Sequence, residues 1–197
     1  MPKPMRSTAP LAPWLILGLV AAAILPGMAA GDDRKDYVEE KYAFSFGVPE
    51  PWAVAPTAGY SVPGKALAAW SGPARSSIVA FVQEPGRAYT ARFLVDLSAG
   101  KFKEGGVTVK AAEVREVDGK KAMWMVVTGK GTGGALDGKG GVDTAQQWVA
   151  IPLEKDILVM ILTCPAPDYE ARRPSFEKAV MAMKIQGKQT PEQAEAK

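Results

Sequence analysis

The segment Ile157–Thr163 (ILVMILT) constrains the fold of this chain more than any other. It has the length of an ordinary strand, and its residues are apolar on both faces of an extended backbone. The turn residues Glu154–Asp156 precede it, and Pro165 follows it soon after. A strand that is apolar on both sides lies inside a sheet rather than at its edge. The sequence therefore predicts a central strand over 157–163.

Further segments have the alternation of half-buried strands. In the first of them Tyr42, Phe44 and Phe46 point one way and small residues point the other. Shorter strands are predicted over 66–70 and 77–83, separated by the turn residues Ser71-Gly72-Pro73. Asp118-Gly119 is a strong hairpin signal. We predict one antiparallel sheet that contains residues 42–48, 107–117, 121–128, 144–152 and 157–163.

Two segments change to the spacing of helices. Over Tyr89–Phe102 the residues Phe93, Leu94 and Leu97 recur at helical intervals, and Gly105-Gly106 follows as a helix stop. The second segment begins at Pro174, which suits the first turn of a helix. It continues through apolar residues at helical spacing, Phe176, Val180 and Met183. We predict one helix within 87–104 and one over 174–185, and hence an α+β antiparallel sandwich.

This order of elements resembles the PsbP-like fold. Three stretches carry the resemblance: the opening strand and turn Tyr42–Trp52 (YAFSFGVPEPW), the hairpin Val117–Ala122 (VDGKKA) and the ending Ala166–Val180 (APDYEARRPSFEKAV). The family includes the extrinsic PsbP subunit of photosystem II, a small Ran-binding nuclear import factor and exported bacterial proteins of unknown role. The resemblance implies an α/β/α sandwich over 42–186. It brings no catalytic residues with it.

The first thirty residues have the organisation of a secretory signal peptide. Lys3 and Arg6 form a basic start, Trp14–Leu25 is an uncharged apolar run, and Pro26 precedes the small residues of a cleavage site. We therefore predict a signal peptide over 1–30 and an exported, periplasmic or extracellular protein. The alternative is a retained membrane anchor, since 11–30 is long enough to span a bilayer. Residues 31–41 are predicted to be a charged, mobile linker, and 187–197 a disordered polar tail.

Charge limits the kinds of partner that this chain can bind, and cysteine content limits its disulfides. Lys3 and Arg6 are the only charged residues of 1–30, which leaves 22 of the 24 basic residues against 21 acidic ones. A nearly neutral domain of this kind is a poor nucleic-acid binder, so none is predicted as a partner. The single cysteine, Cys164, excludes a disulfide framework within one chain, and its apolar neighbourhood predicts a buried thiol.

The chain has no histidine. Ser-His-Asp and Cys-His catalysis are therefore excluded, as are the usual zinc sites. A Ser-Lys dyad or a carboxylate pair remains open, although no serine lies in a G-x-S-x-G or S-x-x-K setting. Glu113 and Glu116 are an odd number of residues apart, so a regular strand places them on opposite faces. We predict that the protein is not an enzyme and that it uses no cofactor.

The glycine-rich segment Gly129–Gly141 (GKGTGGALDGKGG) resembles nucleotide-binding motifs in spacing only. Gly129, Gly131 and Gly134 fit G-x-G-x-x-G, but such motifs need a helix after the glycines, and 146–152 has the pattern of a strand. The segment is predicted to be a flexible hairpin connection that orders on a partner. Its acids, Asp137 and Asp143, match no calcium loop, so no metal site is predicted.

Large apolar side chains give the remaining candidates. The methionines Met123, Met125, Met160, Met181 and Met183 are predicted to fill the core. Four tryptophans, Trp52, Trp70, Trp124 and Trp148, lie outside the signal segment, and at least one is expected to be an exposed anchor. The candidate partner-binding residues are Trp52, Trp70, Gly131 and Gly134.

Three functions fit these observations. The first is a non-enzymatic envelope protein that binds a partner, expected to be another envelope protein, or assists an assembly. The second is a carrier of a small ligand between sheet and helix. The third is a hydrolase that works without histidine. A flat apolar patch favours the first, a deep apolar pocket the second and a buried, perturbed carboxylate the third.

Overall fold

The computed structural model describes residues 36–58, 60, 62–132, 135–136 and 141–185. The predicted signal peptide, most of the predicted linker and the predicted tail lie outside these residues. The described part forms two helices, α1 (Ala91–Glu104) and α2 (Tyr169–Met181). Its strands are β1 (Tyr37–Glu39), β2 (Phe44–Phe46), β3 (Ala53–Ala55), β4 (Lys65–Gly72), β5 (Ser76–Gln83), β6 (Thr108–Val117), β7 (Lys120–Thr132), β8 (Ala135–Leu136), β9 (Val142–Pro152), β10 (Ile157–Pro165) and β11 (Lys184–Ile185).

The main sheet is antiparallel throughout and has the strand order β3-β4-β5-β10-β9-β7-β6, with the short β8 paired to β7. β10 lies at its centre, between β5 and β9. Every residue from Ile157 to Cys164 is buried, so the prediction of a central strand is confirmed. Short hydrogen-bonded turns join β4 to β5, β6 to β7 and β9 to β10. The α+β class and the antiparallel pairing are also confirmed.

The main sheet is covered on both faces. On one face α1 packs against β6 and β7, and its Leu94, Val95 and Phe102 join a core cluster with side chains from the sheet. On the other face α2 and a small three-stranded sheet form a second cluster. That cluster includes Phe176 and Val180 of α2. The layers are therefore helix, sheet, and a mixed layer of helix and strands.

The opening strand does not belong to the main sheet, so this part of the prediction is wrong. β2 pairs with β1 and β11 in the small sheet, whose order is β1-β2-β11. The predicted alternation is correct, because Tyr42, Phe44 and Phe46 are all buried. These rings cover the face of the main sheet on which α2 lies. Phe46 packs on Trp70 of β4 with ring centroids 5.2 Å apart. β1 also lies in the segment that was predicted to be a mobile linker.

α1 ends as its two glycines predict. Gly106 has a left-handed backbone with φ of 75°, the Val107 N–H donates to Phe102 O at 2.9 Å, and the Gly106 N–H donates to Lys103 O at 3.0 Å. This pair of bonds is a Schellman motif, which satisfies carbonyls at the helix end. The helix begins later than Tyr89, because the Thr90 side chain accepts from the Phe93 N–H as its N-cap. Phe93 itself is 45% exposed rather than on the buried stripe.

α2 differs from its prediction at both ends. It begins at Tyr169, after a 3₁₀ turn over Ala166–Asp168, so Pro174 lies inside the helix rather than in its first turn. It ends at Met181, and Lys184–Ile185 form β11 instead of a last helical turn. The apolar spacing remained correct for Phe176 and Val180, which are buried. Pro174 removes one backbone hydrogen bond from α2, and the packing of the face that carries Phe176 and Val180 offsets this loss.

Candidate functional site

A cleft of about 530 Å³ opens at the end of the main sheet where β5 and β9 finish. Its walls come from the β1–β2 turn, the residues after β5, the β6–β7 hairpin, the β9–β10 turn and β11. Antiparallel pairing brings these segments together, since the start of β7 lies beside the end of β9 and the start of β10 beside the end of β5. The lining residues are Lys41, Tyr42, Glu84, Gly86, Lys120, Leu153, Glu154, Lys155, Asp156 and Ile185.

Lys41, Tyr42 and Glu84 form a connected cluster on one wall. The Lys41 ammonium donates to Tyr42 Oη at 2.8 Å and to Glu84 Oε1 at 2.9 Å, and the Tyr42 hydroxyl donates to the same carboxylate oxygen. The bonds from Tyr42 and Lys41 lower the pKa of Glu84. Bonds to Tyr42 and Glu84 raise the pKa of Lys41. Burial, then the bond to Glu84, raises the pKa of Tyr42. The cluster therefore holds one fixed positive and one fixed negative charge.

Four further charged side chains line the cleft. Lys120 stands at the β6–β7 hairpin, and Glu154, Lys155 and Asp156 stand in the turn that the bond from Leu153 N–H to Asp156 O closes at 2.9 Å. No salt bridge within the described residues involves these four side chains. Lys120 also attracts the Asp118 carboxylate. Charged groups outside a salt bridge can bind a molecule that supplies the opposite charge.

Asp118 holds the β11 wall of the cleft in place. Its carboxylate accepts a hydrogen bond from the Ile185 N–H at 2.7 Å and lies 3.6 Å from Lys184 Nζ. The backbone bond to Ile185 is the main reason that the pKa of Asp118 is lowered. Asp118 also has a φ of 45°, in the left-handed region that aspartate tolerates in tight hairpin turns. Sequence analysis identified the hairpin but not the bond between this carboxylate and β11.

Displaced pKa values in the described part of the chain all lie further from neutrality than normal. A carboxylate pKa is lowered at Glu84 and Asp118, and a cation pKa is raised at Lys41 and Arg115. General acid–base catalysts are tuned the other way, toward the working pH. The remaining displaced groups are a thiol and four phenols with raised pKa values, namely Cys164, Tyr37, Tyr42, Tyr60 and Tyr169.

Solved structures share this architecture. The cyanobacterial PsbP (CyanoP) of Synechocystis sp. PCC 6803 superposes with a TM-score of 0.56 at 12% identity, covering 82% of this chain and 99% of that one. The described domain has the PsbP-like fold. Two further structures agree. LpqN of Mycobacterium tuberculosis, involved in cell envelope biogenesis, has a TM-score of 0.50 at 14% identity over 77% of this chain and 90% of its own. The Saccharomyces cerevisiae Ran-binding protein Mog1p has 0.52 at 11% over 78% and 95%.

No family model and no curated protein matches the sequence. Identities of 11–14% establish the fold of the PsbP-like domain and carry no activity with them. The function must therefore be argued from the domain's own residues.

The candidate tryptophans are structural parts of the PsbP-like domain. Trp70 is 1% exposed and packs against Phe46 and Tyr37. Trp52 is 9% exposed and lies so close to Gly72 that a Cβ there would come within 2.6 Å of the indole ring. Neither ring offers a free face, so neither is the exposed anchor that we expected. Whether either residue contacts a partner stays a prediction.

The glycine-rich segment of the PsbP-like domain is partly strand. β7 continues to Thr132 and so includes Gly131, which pairs with Val142 and Leu136. Gly134 and residues 137–140 lie outside the described residues. β7 and β9 are adjacent and antiparallel, as a hairpin connection requires. Because β9 rather than a helix follows, the described residues contain no helix N-terminus for a phosphate here.

The other sequence candidates are placed as follows. Cys164, Met123, Met125, Met160 and Met183 are buried as predicted, whereas Met181 is 52% exposed at the end of α2. Glu113 lies opposite Trp124 and Glu116 opposite Lys121, so the two glutamates face opposite sides as expected. Within the described ranges no three acidic or cysteine side chains are grouped to hold a metal, and neither helix is long and apolar enough to cross a membrane.

Sequence reasoning missed the cleft itself. Lys41, Glu84 and Lys155 come from three turns that are far apart in the chain, and each turn alone has an ordinary composition. The one usable signal was Tyr42, a hydroxyl-bearing ring at the end of an otherwise hydrocarbon stripe. A buried tyrosine needs a hydrogen-bond partner for its hydroxyl, which would have predicted a polar group at that end of the strand.

Proposed function

We propose that this chain is an exported, non-enzymatic protein of the cell envelope that binds a protein partner at the cleft. The binding either forms a complex or assists an assembly. The observation that carries the proposal is the Lys41–Tyr42–Glu84 cluster together with the other charged side chains that line the cleft. Its groups keep one protonation state through the physiological range, because the pKa of the lysine is raised and that of the glutamate lowered. Fixed charges of both signs recognise a charged surface; they do not exchange protons.

Export is supported by the basic start and apolar run of 1–30 and by the fold. LpqN, which has this fold, is described as involved in cell envelope biogenesis, and Mog1p is described as Ran-binding. One protein described as binding a partner and one described as involved in cell envelope biogenesis therefore have this fold. These observations support the proposed location in the cell envelope.

The small-ligand carrier is the rival function that the cleft volume favours, since about 530 Å³ lies in the range of small-molecule sites. Its lining argues against a carrier of apolar ligands. Six of the ten lining residues carry a formal charge, and apolar surface comes mainly from Leu153 and Ile185. Carrier sites for apolar ligands are lined mostly by hydrophobic side chains.

The test compares capture from the cell envelope by wild-type protein and by Lys155→Glu. The substitution reverses a cleft charge that has no partner within the described chain, so we expect a partner captured by wild type to be reduced several-fold. Lys103→Glu, the same change at an exposed position of α1, is the matched control and should capture as wild type does. Equal capture by both variants contradicts a role for the cleft.

The same purified protein separates binding from catalysis. Esterase, peptidase, glycosidase and phosphatase substrates should show no turnover above buffer. Turnover that one substitution in the cleft abolishes, with the fold intact, would establish the hydrolase instead. Loss of a bound small molecule from Lys155→Glu, with no protein partner captured by wild type, would establish the carrier.

A further inference from the structure

β6 is an edge strand whose outer side is open. Among the strands that the structure describes, only β7 pairs with it. Residues 110–114 are exposed without interruption, and Val114 is 38% exposed although it is apolar. An open edge of this length presents unpaired N–H and C=O groups that can add another strand.

The hairpin determines which backbone groups point outward. Val117 pairs with Lys120 across the two-residue turn Asp118-Gly119, and such a turn is closed by a hydrogen-bonded pair. Hydrogen-bonded and non-hydrogen-bonded positions alternate along an antiparallel strand. Residues 113, 115 and 117 therefore bond to β7, and residues 112, 114 and 116 direct their N–H and C=O groups outward. A register shift between Val109 and Ala111 limits this regular edge to 111–117.

The charges on this edge select one self-pairing. Glu113 and Arg115 lie on the same face, and the Arg115 Nε–H donates to Glu113 at 2.8 Å. An antiparallel second copy centred on Val114 places Glu113 opposite Arg115 of the other copy, twice over. Centring on 113 or on 115 instead places two glutamates or two arginines directly opposite, which is destabilising. The Val114 register also uses all three outward residues in hydrogen-bonded pairs, with 112 opposite 116 and both copies of Val114 on the axis.

We propose that two copies of this chain associate through β6, antiparallel, with Val114 on the two-fold axis, so that the seven-strand path of each main sheet becomes one continuous sheet. The Arg115 guanidinium is already positioned by Glu113, by Glu177 of α2 and by the Trp124 ring, 5.0 Å from its centroid. An edge of seven residues buries little surface, so the dimer is weak and depends on concentration. This association is independent of the cleft.

Sedimentation velocity over a wide concentration range tests the dimer, using protein produced from the full-length coding sequence in the form that the cells leave it. We expect a reversible monomer–dimer equilibrium. Val114→Pro should shift it to monomer while leaving the thermal unfolding transition cooperative, because the lost N–H faces away from β7. A monomer at every concentration, or a dimer that Val114→Pro leaves unchanged, overturns the proposal.

Charge reversal checks the register. Glu113→Arg places arginine opposite arginine, and Arg115→Glu places glutamate opposite glutamate, so each variant alone should dimerise about tenfold more weakly. Mixed in equal amounts, the two restore opposite charges at both positions and should form a heterodimer close to wild-type affinity. Equal weakness of the mixture contradicts the Val114 register.

A cysteine pair gives a readout that does not depend on affinity. Val114→Cys places two thiols across the axis at about 5.5 Å between Cα atoms, within disulfide range. Mild oxidation should therefore cross-link this variant, and the native Cys164 is buried. Val54→Cys, on the opposite edge strand β3 and 83% exposed in the wild type, controls for random collision. Cross-linking of both variants at one rate overturns the proposed interface.

Discussion

Burial is the main cause of the altered reactivity that we expect of Cys164. It is 1% exposed, and burial raises the pKa of its thiol to about 12. We expect native protein to resist an aromatic disulfide reagent at pH 8 and to react with one equivalent once unfolded, because the thiolate is the nucleophile. Rapid labelling of the native state would show that the cysteine end of β10 opens.

The same shift predicts an alkaline loss of stability. The folded thiol holds its proton to a higher pH than the unfolded thiol, whose pKa is about 8.5. The contribution is therefore complete below pH 8.5 and is lost as pH rises toward 12. Urea midpoints of wild type should fall more steeply than those of Cys164→Ala between pH 8 and pH 10. Parallel curves would mean that burial does not control this thiol.

Asp118 gives the corresponding prediction in acid. Its pKa is lowered by the Ile185 N–H and by Lys184, so its contribution is present above the unfolded pKa of about 3.9 and is lost as pH falls through the folded value. Asp118→Asn keeps a side chain that suits the hairpin turn and removes the charge. Below pH 4 wild type should lose stability faster than Asp118→Asn, and the protection factor of the Ile185 amide against hydrogen exchange should fall with it. A protection factor at Ile185 that stays unchanged in acid would contradict the link.

At the scale of elements, the end of α1 offers a matched pair of glycines. Gly106 has a φ of 75° with no atom near a would-be Cβ, whereas Gly105 has a φ of −77°. Gly106→Ala therefore pays only for a left-handed backbone, about 1–2 kcal/mol of unfolding free energy. Gly105→Ala should change that free energy by less than about 0.5 kcal/mol. Chemical denaturation of both variants decides it; equal losses would mean that the Schellman motif is not formed in solution.

Elements with a long local pattern were the ones that the sequence could predict. The strands β5, β6, β7, β9 and β10 and the helix α1 have enough residues for an apolar period to show. β11 has two residues and its partner β2 has three, and they are joined across nearly the whole domain. Such a pairing depends on tertiary contacts that no local period records. Pro174 was misleading for a related reason, because packing overrides its preference for a first turn.

At the scale of the molecule, the sheet's connectivity creates both surfaces described above. Antiparallel pairing gathers turns from distant parts of the chain at one end, which forms the charged cleft. The long β5–α1–β6 crossover leaves β6 at an open edge. The fold class could be predicted from the sequence, but which charges meet at the cleft could not. That depends on three-dimensional neighbours, of which Lys41 and Glu84 are the clearest case.

The central claim, that a protein partner binds at the cleft, is tested most directly by photo-cross-linking in living cells. A photoreactive amino acid at position 155 lies on the cleft wall, and the same amino acid at position 103 lies on exposed α1. We predict a discrete adduct with another protein from position 155 and none from position 103. An absence of adduct at 155, or the same adducts from both positions, would contradict binding at the cleft.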